Sequence, residues 1–241
     1  MLPQLLHAVN DSEISRRELA TIIAGDPALV GNLLKLANSS FYRINAQPVE
    51  SIDRAVALLG TEGIRSLVAA AITQPVFSVS GGEFTRFPEI TWEHTLRCAG
   101  AAKAHAAIVG NSDPFAAQLL GLVMGLGAII VFRVALDQYA ARRKLRPSAA
   151  VIASLRGATS WELSGRMLAA LEDQMPGRLN HEPNSLGRSV HFGRLVGARA
   201  VLHANGRIDD NTAKASVLAS GASASQFERI WPRLTAQTGM S

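Results

Sequence analysis

The residues best suited to metal chemistry in this 241-residue sequence are its six histidines. Imidazole suits Zn²⁺ and Fe²⁺, whereas carboxylates suit Mg²⁺ and Mn²⁺. His94 and His105 share one face of a predicted helix, but 11 residues of rise place them about 16 Å apart along its axis. No H-E-x-x-H motif occurs. A metal site would have to be assembled from distant segments, for example from His94 with Asp137 or Asp173.

Nucleophilic and phosphate-binding motifs are equally sparse. Cys98, the single cysteine, lies in the apolar stretch 96–102, where a thiol is expected to pack as a small core residue. There is no G-x-S-x-G motif. Gly121, Gly125 and Gly127 lack the preceding strand and the spacing of a phosphate-binding loop. We expect these glycines to let helices approach one another closely.

Positive charge is concentrated in the second half of the chain. The net charge of +5 divides into −2 for residues 1–120 (9 basic, 11 acidic) and +7 for residues 121–241 (15 basic, 8 acidic). A basic surface can bind nucleic-acid phosphates. The simpler interpretation is a solvated helix end, where cations complement the helix dipole. Both interpretations concern one dense basic run, formed by Arg142, Arg143, Lys144 and Arg146.

Length and composition indicate a self-sufficient globular protein. With 48% hydrophobic and 18% charged residues, the chain is too apolar to be intrinsically disordered. One cysteine excludes a disulfide framework. The longest apolar stretch, 115–132, contains Gln118, and its uncharged core of 14 residues has the length of a buried helix rather than a bilayer span. We therefore expect a cytoplasmic protein without membrane insertion.

Start and stop signals predict an all-α protein. Ser15 and Glu18 form a capping box, Gly25 offers a left-handed helix end, and Asp26-Pro27 begins another helix. Sustained period-2 alternation, the signal of a strand, is absent. Later helices are predicted at 91–109, 115–134, 136–145, 148–155, 160–173, 187–204 and 211–220. Residues 78–88 lack helical period, so the predicted organisation is 1–77, a connecting loop at 78–88, and 89–241.

Three motifs in the first third resemble the HDOD family, signalling output domains related to the metal-dependent HD phosphohydrolases. They occur in the family's order: IAGDPAL at 23–29, LLKLANS at 33–39 and VESIDRAVALLG at 49–60. A weaker resemblance continues over about 90–205, through WEH at 92–94 and LVMGLG at 122–127. It implies a multi-helix HDOD fold, in which an N-terminal helical subdomain packs on a degenerate HD-like one to form a single domain.

The chain departs from the family's relatives where metal would bind. The segment that corresponds to the family's L-L-H-D-I-G has Met124 and Gly125 in place of the metal-binding His and Asp. A thioether and a hydrogen atom cannot replace imidazole and carboxylate. His94 remains on the predicted central helix, but residues 160–165 contain no histidine. The resemblance therefore implies no catalytic residues, no bound metal and no other cofactor.

Capping and turn chemistry explain the residue types of the N-terminal motifs, so we expect a structural role for them. The resemblance implies a non-catalytic bacterial signalling module that binds another protein or a ligand. Two alternatives are a residual phosphohydrolase acting on a nucleotide or cyclic dinucleotide, and nucleic-acid binding through the basic half. The partner and the oligomeric state are not predicted. The motif residues are Asp26, Pro27, Leu29, Asn38, Ser39, Ser51 and Gly60.

Overall fold

The computed structural model describes residues 14–38, 47–77, 86–109, 112–142 and 185–235, together with Asp11, Tyr42, Phe84, Ser148, Ala150, Val151 and Ser154. None of the described residues lies in a strand, so the predicted all-α class is confirmed. The helices of the described ranges are α1 (Arg16–Ala24), α2 (Pro27–Ala37), α3 (Ile52–Thr73), α4 (Phe87–Val109), α5 (Pro114–Ala141), α6 (Ser185–Ala204), α7 (Asp210–Leu218) and α8 (Ala224–Thr235).

The chain divides into two compact units, residues 1–75 with 237–241, and residues 76–236. In the first unit, α1 and α2 pack against α3 and against each other. The predicted capping box is confirmed: the Glu18 amide donates to Ser15 Oγ at 3.2 Å, and the Ser15 amide donates to the Glu18 carboxylate at 3.0 Å. Fully buried apolar side chains from all three helices form the core, among them Leu19, Ile23, Leu33, Ile64 and Leu67.

A glycine interrupts α3. Gly60 has φ 67° and ψ 178°, a conformation that other residues rarely adopt. The sequence predicts a helix end at this glycine and a new helix from Thr61, and the backbone confirms the break. The two helical segments follow each other without an intervening loop.

In the second unit, α4 packs along both α5 and α6, while α8 contacts α4, α6 and α7. Asp113 caps α5, because its carboxylate accepts from the amides of Phe115 (2.8 Å) and Ala116 (3.2 Å). The fully buried side chains of this unit include Phe132, Leu122, Ile129, Val196 and Ile230.

Two helices are longer than predicted. α4 begins at Phe87 rather than at Thr91, since Pro88 in the first turn needs no helical partner for its nitrogen and Phe87 stacks on Phe132 at 4.0 Å. α5 continues to Ala141 without the predicted break between residues 134 and 136, where the sequence has no Gly, Pro or capping residue.

Other predictions fall wholly or partly outside the described residues. These are the predicted helix 160–173, most of 148–155, and most of the connecting loop 78–88, so the domain boundaries stay predictions. The helices predicted at 187–204 and 211–220 are confirmed as α6 and α7, with shifted ends.

Two stretches among the described residues, Ile52–Phe77 and Pro114–Ala141, are long and apolar enough to cross a membrane by length and composition alone. Core helices of globular proteins pass the same test. Within the most apolar windows of the two stretches, 50% and 44% of the residues are buried inside the fold. The finding therefore assigns neither helix to a membrane.

Candidate functional site

Helices α4, α5 and α6 approach each other at backbone distance. On one side of α4, a Cβ built on Gly121 would lie 2.6 Å from Ala99 Cα. On the other side, Cβ atoms built on Gly193 and Gly197 would lie 2.5 Å from Cys98 O and 2.6 Å from Cys98 N. Each of these two helices thus contacts α4 through a pair of glycines four residues apart. The pairs are Gly121 and Gly125 on α5, and Gly193 and Gly197 on α6.

Gly125 is the second close-contact glycine of α5, and the resemblance to the HDOD family predicts that it stands where HD proteins have their metal-binding Asp. A Cβ on Gly125 would lie 2.0 Å from Thr95 Oγ1 and 2.4 Å from Thr95 Cγ2. The Thr95 side chain is buried, and its hydroxyl donates to the Thr91 carbonyl at 2.7 Å. The space that a carboxylate at position 125 would need is therefore filled by a threonine.

The residues that remain do not fit a divalent metal ion. Met124 packs against a cluster of buried apolar residues from α4, α5 and α6. His94 Nε2 lies 3.3 Å from Cys98 Sγ, one turn further along the same helix. Asp137 is twelve residues beyond Gly125 on α5, about 18 Å along the axis. Asp173 lies outside the described residues. Within the described ranges, no three His, Cys, Asp or Glu side chains are grouped so that they could hold a metal ion.

The N-terminal motif residues hold the ends of the first three helices. Asp26 Oδ1 accepts from the Leu29 amide at 3.1 Å, and Pro27 is the first residue of α2. Ser51 Oγ accepts from the Arg54 amide at 3.2 Å and caps α3.

Asn38 joins the end of α2 to the segment before α3. Its Nδ2 donates to the carbonyls of Leu34 (2.9 Å) and Val49 (2.8 Å), and its Oδ1 accepts from the Val49 amide at 2.7 Å. All three bonds join the side chain to main-chain atoms. Ser39, its neighbour in the motif, lies outside the described residues.

The basic run is only partly described. Arg142 ends α5, is exposed, and donates a hydrogen bond to the Gln138 side chain one turn earlier. Arg143, Lys144 and Arg146 lie outside the described residues, so a shared basic surface stays a prediction.

Two buried polar arrangements were not predicted from the sequence. Arg97 on α4 is 4% exposed; it pairs with Glu93 at 2.8 Å, and its Nη1 donates to the Leu234 carbonyl of α8 at 2.6 Å. His105 on α4 lies 3.0 Å from Ser189 Oγ of α6. The bonds from Arg97 to Leu234 and between His105 and Ser189 have no local sequence signal, because they join residues 137 and 84 positions apart.

The comparison with known proteins agrees with this fold. Three crystal structures match 98% of the chain: a Geobacter sulfurreducens HDOD domain protein of unknown function (18% identity, 90% of its chain, TM-score 0.59), and two proteins of Shewanella amazonensis SB2B. One of these is provisionally named a phosphohydrolase (19%, 92%, 0.60), the other a metal-dependent phosphohydrolase (18%, 89%, 0.57). At these identities the likeness shows the fold alone. No curated protein matches the chain. The HDOD domain family model matches residues 1–170. With more than two thirds of its length matched, the chain belongs to the HDOD family.

Proposed function

We propose that this HDOD protein is a non-catalytic regulatory module of bacterial signal transduction, which acts in the cytoplasm by binding another protein. The observation that carries the proposal is the contact between Thr95 of α4 and Gly125 of α5. Position 125 has no side chain, and Thr95 occupies the volume where a metal-binding carboxylate would stand. Fold relationship alone does not fix function, so the proposal depends on this site.

The main alternative is a residual phosphohydrolase, as the provisional names of the two Shewanella neighbours suggest for those proteins. A metal ion that binds the folded state raises its stability by an amount that grows with the ratio of metal concentration to Kd, about 2.7 kcal/mol at 100 times Kd. We expect Mn²⁺, Fe²⁺ and Mg²⁺ to leave the melting temperature of the purified protein unchanged.

The matched control for the metal experiment is the His94→Gln variant. Protein purified without chelator should contain the same sub-stoichiometric metal as this variant, and neither should hydrolyse a phosphodiester substrate. Stoichiometric metal in the wild type that is lost in His94→Gln, together with metal-dependent turnover, would overturn the non-catalytic proposal.

Partner binding is tested by a tagged pull-down from lysate of the source organism, with and without nuclease. A protein partner should survive nuclease and then bind the purified module at a fixed stoichiometry. Material that disappears with nuclease would instead favour nucleic-acid binding through the basic half.

Charge reversal separates these two outcomes. If the basic run binds phosphates, Arg142→Glu should weaken binding and reduce its salt dependence, whereas Arg133→Glu, an exposed control on the same helix, should not. If a protein is bound elsewhere, the two variants should retain it equally.

A further inference from the structure

His105 lies at a buried junction of several elements in the second unit. Its Nδ1 is 3.0 Å from Ser189 Oγ of α6, and Ser189 Oγ is in turn 3.4 Å from the hydroxyl of Ser112, just before α5. The imidazole stacks on Phe192 with 4.5 Å between ring centroids. His105 is 7% exposed and Ser189 is 1% exposed. This arrangement suits a neutral imidazole, since a serine hydroxyl can either donate to a ring nitrogen or accept from it.

The charges around this junction disfavour an imidazolium. Burial is the main cause that lowers the pKa of His105 below its usual 6.5, and the positive charge of Arg188 on α6 acts in the same direction. A hydrogen bond between the imidazole and the Gln226 side chain of α8 raises the pKa and so opposes them in part. On the α5 side, the carboxylate of Asp113 is engaged in capping that helix. On α8, Glu228 is paired with Lys214 at 2.5 Å.

We propose that His105 is an acid-sensitive latch, which in its neutral form fastens α6 to α4 and on protonation loosens that contact. A proton on the ring would place a positive charge at a buried site near Arg188 of α6. The inference rests on packing inside residues 76–236 and is independent of the proposed signalling function.

The sign of the pH dependence follows from the lowered pKa. The pKa of His105 is lower in the folded protein than in the unfolded chain. At pH values between these two, the unfolded chain binds more protons at His105, so the free energy of unfolding rises with pH. The contribution of His105 is fully present above the unfolded value, near 6.5, and is lost as the pH falls below it. The latch is therefore closed at neutral pH and weakened in mild acid.

The test compares His105→Gln with the wild type at pH 7.5 and pH 5.0. Glutamine can keep a hydrogen bond to Ser189 but does not titrate, so the fall in Tm from pH 7.5 to 5.0 should be smaller in this variant by about 2 °C or more. His191→Gln is the matched control, because His191 is exposed on α6 and its replacement should leave the full acid sensitivity. Hydrogen exchange, corrected for intrinsic rates, should show acid-induced loss of protection in α6 only where His105 is present.

An equal fall in Tm for wild type and His105→Gln would overturn the latch. If His105→Gln does not fold, an NMR titration of the wild-type protein decides: the pKa of His105 must lie below its usual value of 6.5. Titration of His105 at or above that value, with α6 still protected at pH 5.0, would also reject the proposal.

Discussion

At the scale of single residues, the side chain of Asn38 takes the place of regular secondary structure. α2 ends at Ala37, and Val49 precedes the cap of α3, so the main-chain groups between these helices need other partners. Asn38 supplies both a donor and an acceptor to Val49, which an aspartate or a leucine could not do. Asn38 of the family motif therefore has a structural role in the first unit, since its side-chain nitrogen and oxygen both bond to main-chain atoms.

We predict that Asn38→Ala lowers the free energy of unfolding by about 2 kcal/mol or more, because it leaves the N–H and carbonyl of Val49 without their partner. Chemical denaturation measures the effect. Asn32→Ala, within α2, is the control and should change stability by less than about 0.5 kcal/mol. Equal effects from the two substitutions would show that the three Asn38 bonds contribute little.

At the scale of elements, glycine spacing sets how closely the helices pack. α5 and α6 each present two glycines, four residues apart, to the small residues of α4. Gly121, Gly193 and Gly197 face backbone atoms, which cannot move aside as a flexible side chain can, whereas Gly125 faces the side chain of Thr95. Gly187, also on α6, is free of this constraint, because a Cβ added there would have nothing within 4 Å.

We predict that Gly125→Ala destabilises the protein by about 1–3 kcal/mol through overpacking against Thr95. The double variant Thr95→Gly/Gly125→Ala moves the side-chain volume back across the interface and should recover part of that loss. A double-mutant cycle from thermal or chemical unfolding measures the coupling, expected to be about 0.5–3 kcal/mol.

Gly187→Ala is the control for this cycle, and it should be neutral or stabilising by up to about 1 kcal/mol, since alanine is the better helix former. Additive effects at positions 95 and 125 would contradict the steric interpretation of the site.

At the scale of the whole molecule, Arg97 connects parts of the chain that are far apart in sequence. Its Nη1 donates to the Leu234 carbonyl in the last turn of α8, a group that has no partner within its own helix. Glu93, partly exposed, balances the charge from the neighbouring turn of α4. The final described helix is therefore fastened to α4 by a buried cation as well as by apolar packing.

We predict that Arg97→Met costs about 2 kcal/mol or more, because Leu234 loses its donor while the exposed part of Glu93 can turn to water. Limited proteolysis should then cut within 224–235 sooner than in the wild type. Lys214→Met is the matched control: it removes an exposed ion pair between α7 and α8 and should cost less than about 1 kcal/mol. Cleavage at unchanged rates in both variants would contradict the role of Arg97.

Much of the fold could be predicted because several helices begin at a capping residue whose hydrogen-bond partner is close to it in sequence. Ser15, Asp26, Ser51 and Asp113 each cap a helix by a hydrogen bond to an amide no more than three residues away. Helix ends are harder to predict. The sequence predicts a left-handed Gly25, but its φ is −69°, because the next helix begins after only two residues and the turn stays right-handed.

The candidate site could be predicted only in part. The resemblance identifies positions 124 and 125, since the motif is contiguous in sequence. That Thr95 fills the space opposite Gly125 depends on the register of α4 against α5, which no local pattern encodes. The same holds for the bond between His105 and Ser189, which depends on the register of α4 against α6.

The contact between Thr95 and Gly125 has a consequence for protein engineering. An aspartate introduced at position 125 alone would collide with Thr95, and removing the Thr95 side chain alone would leave a buried void and an unused helix contact. Either substitution made singly is therefore expected to lower stability. A carboxylate can be placed at this point only if both positions are changed together.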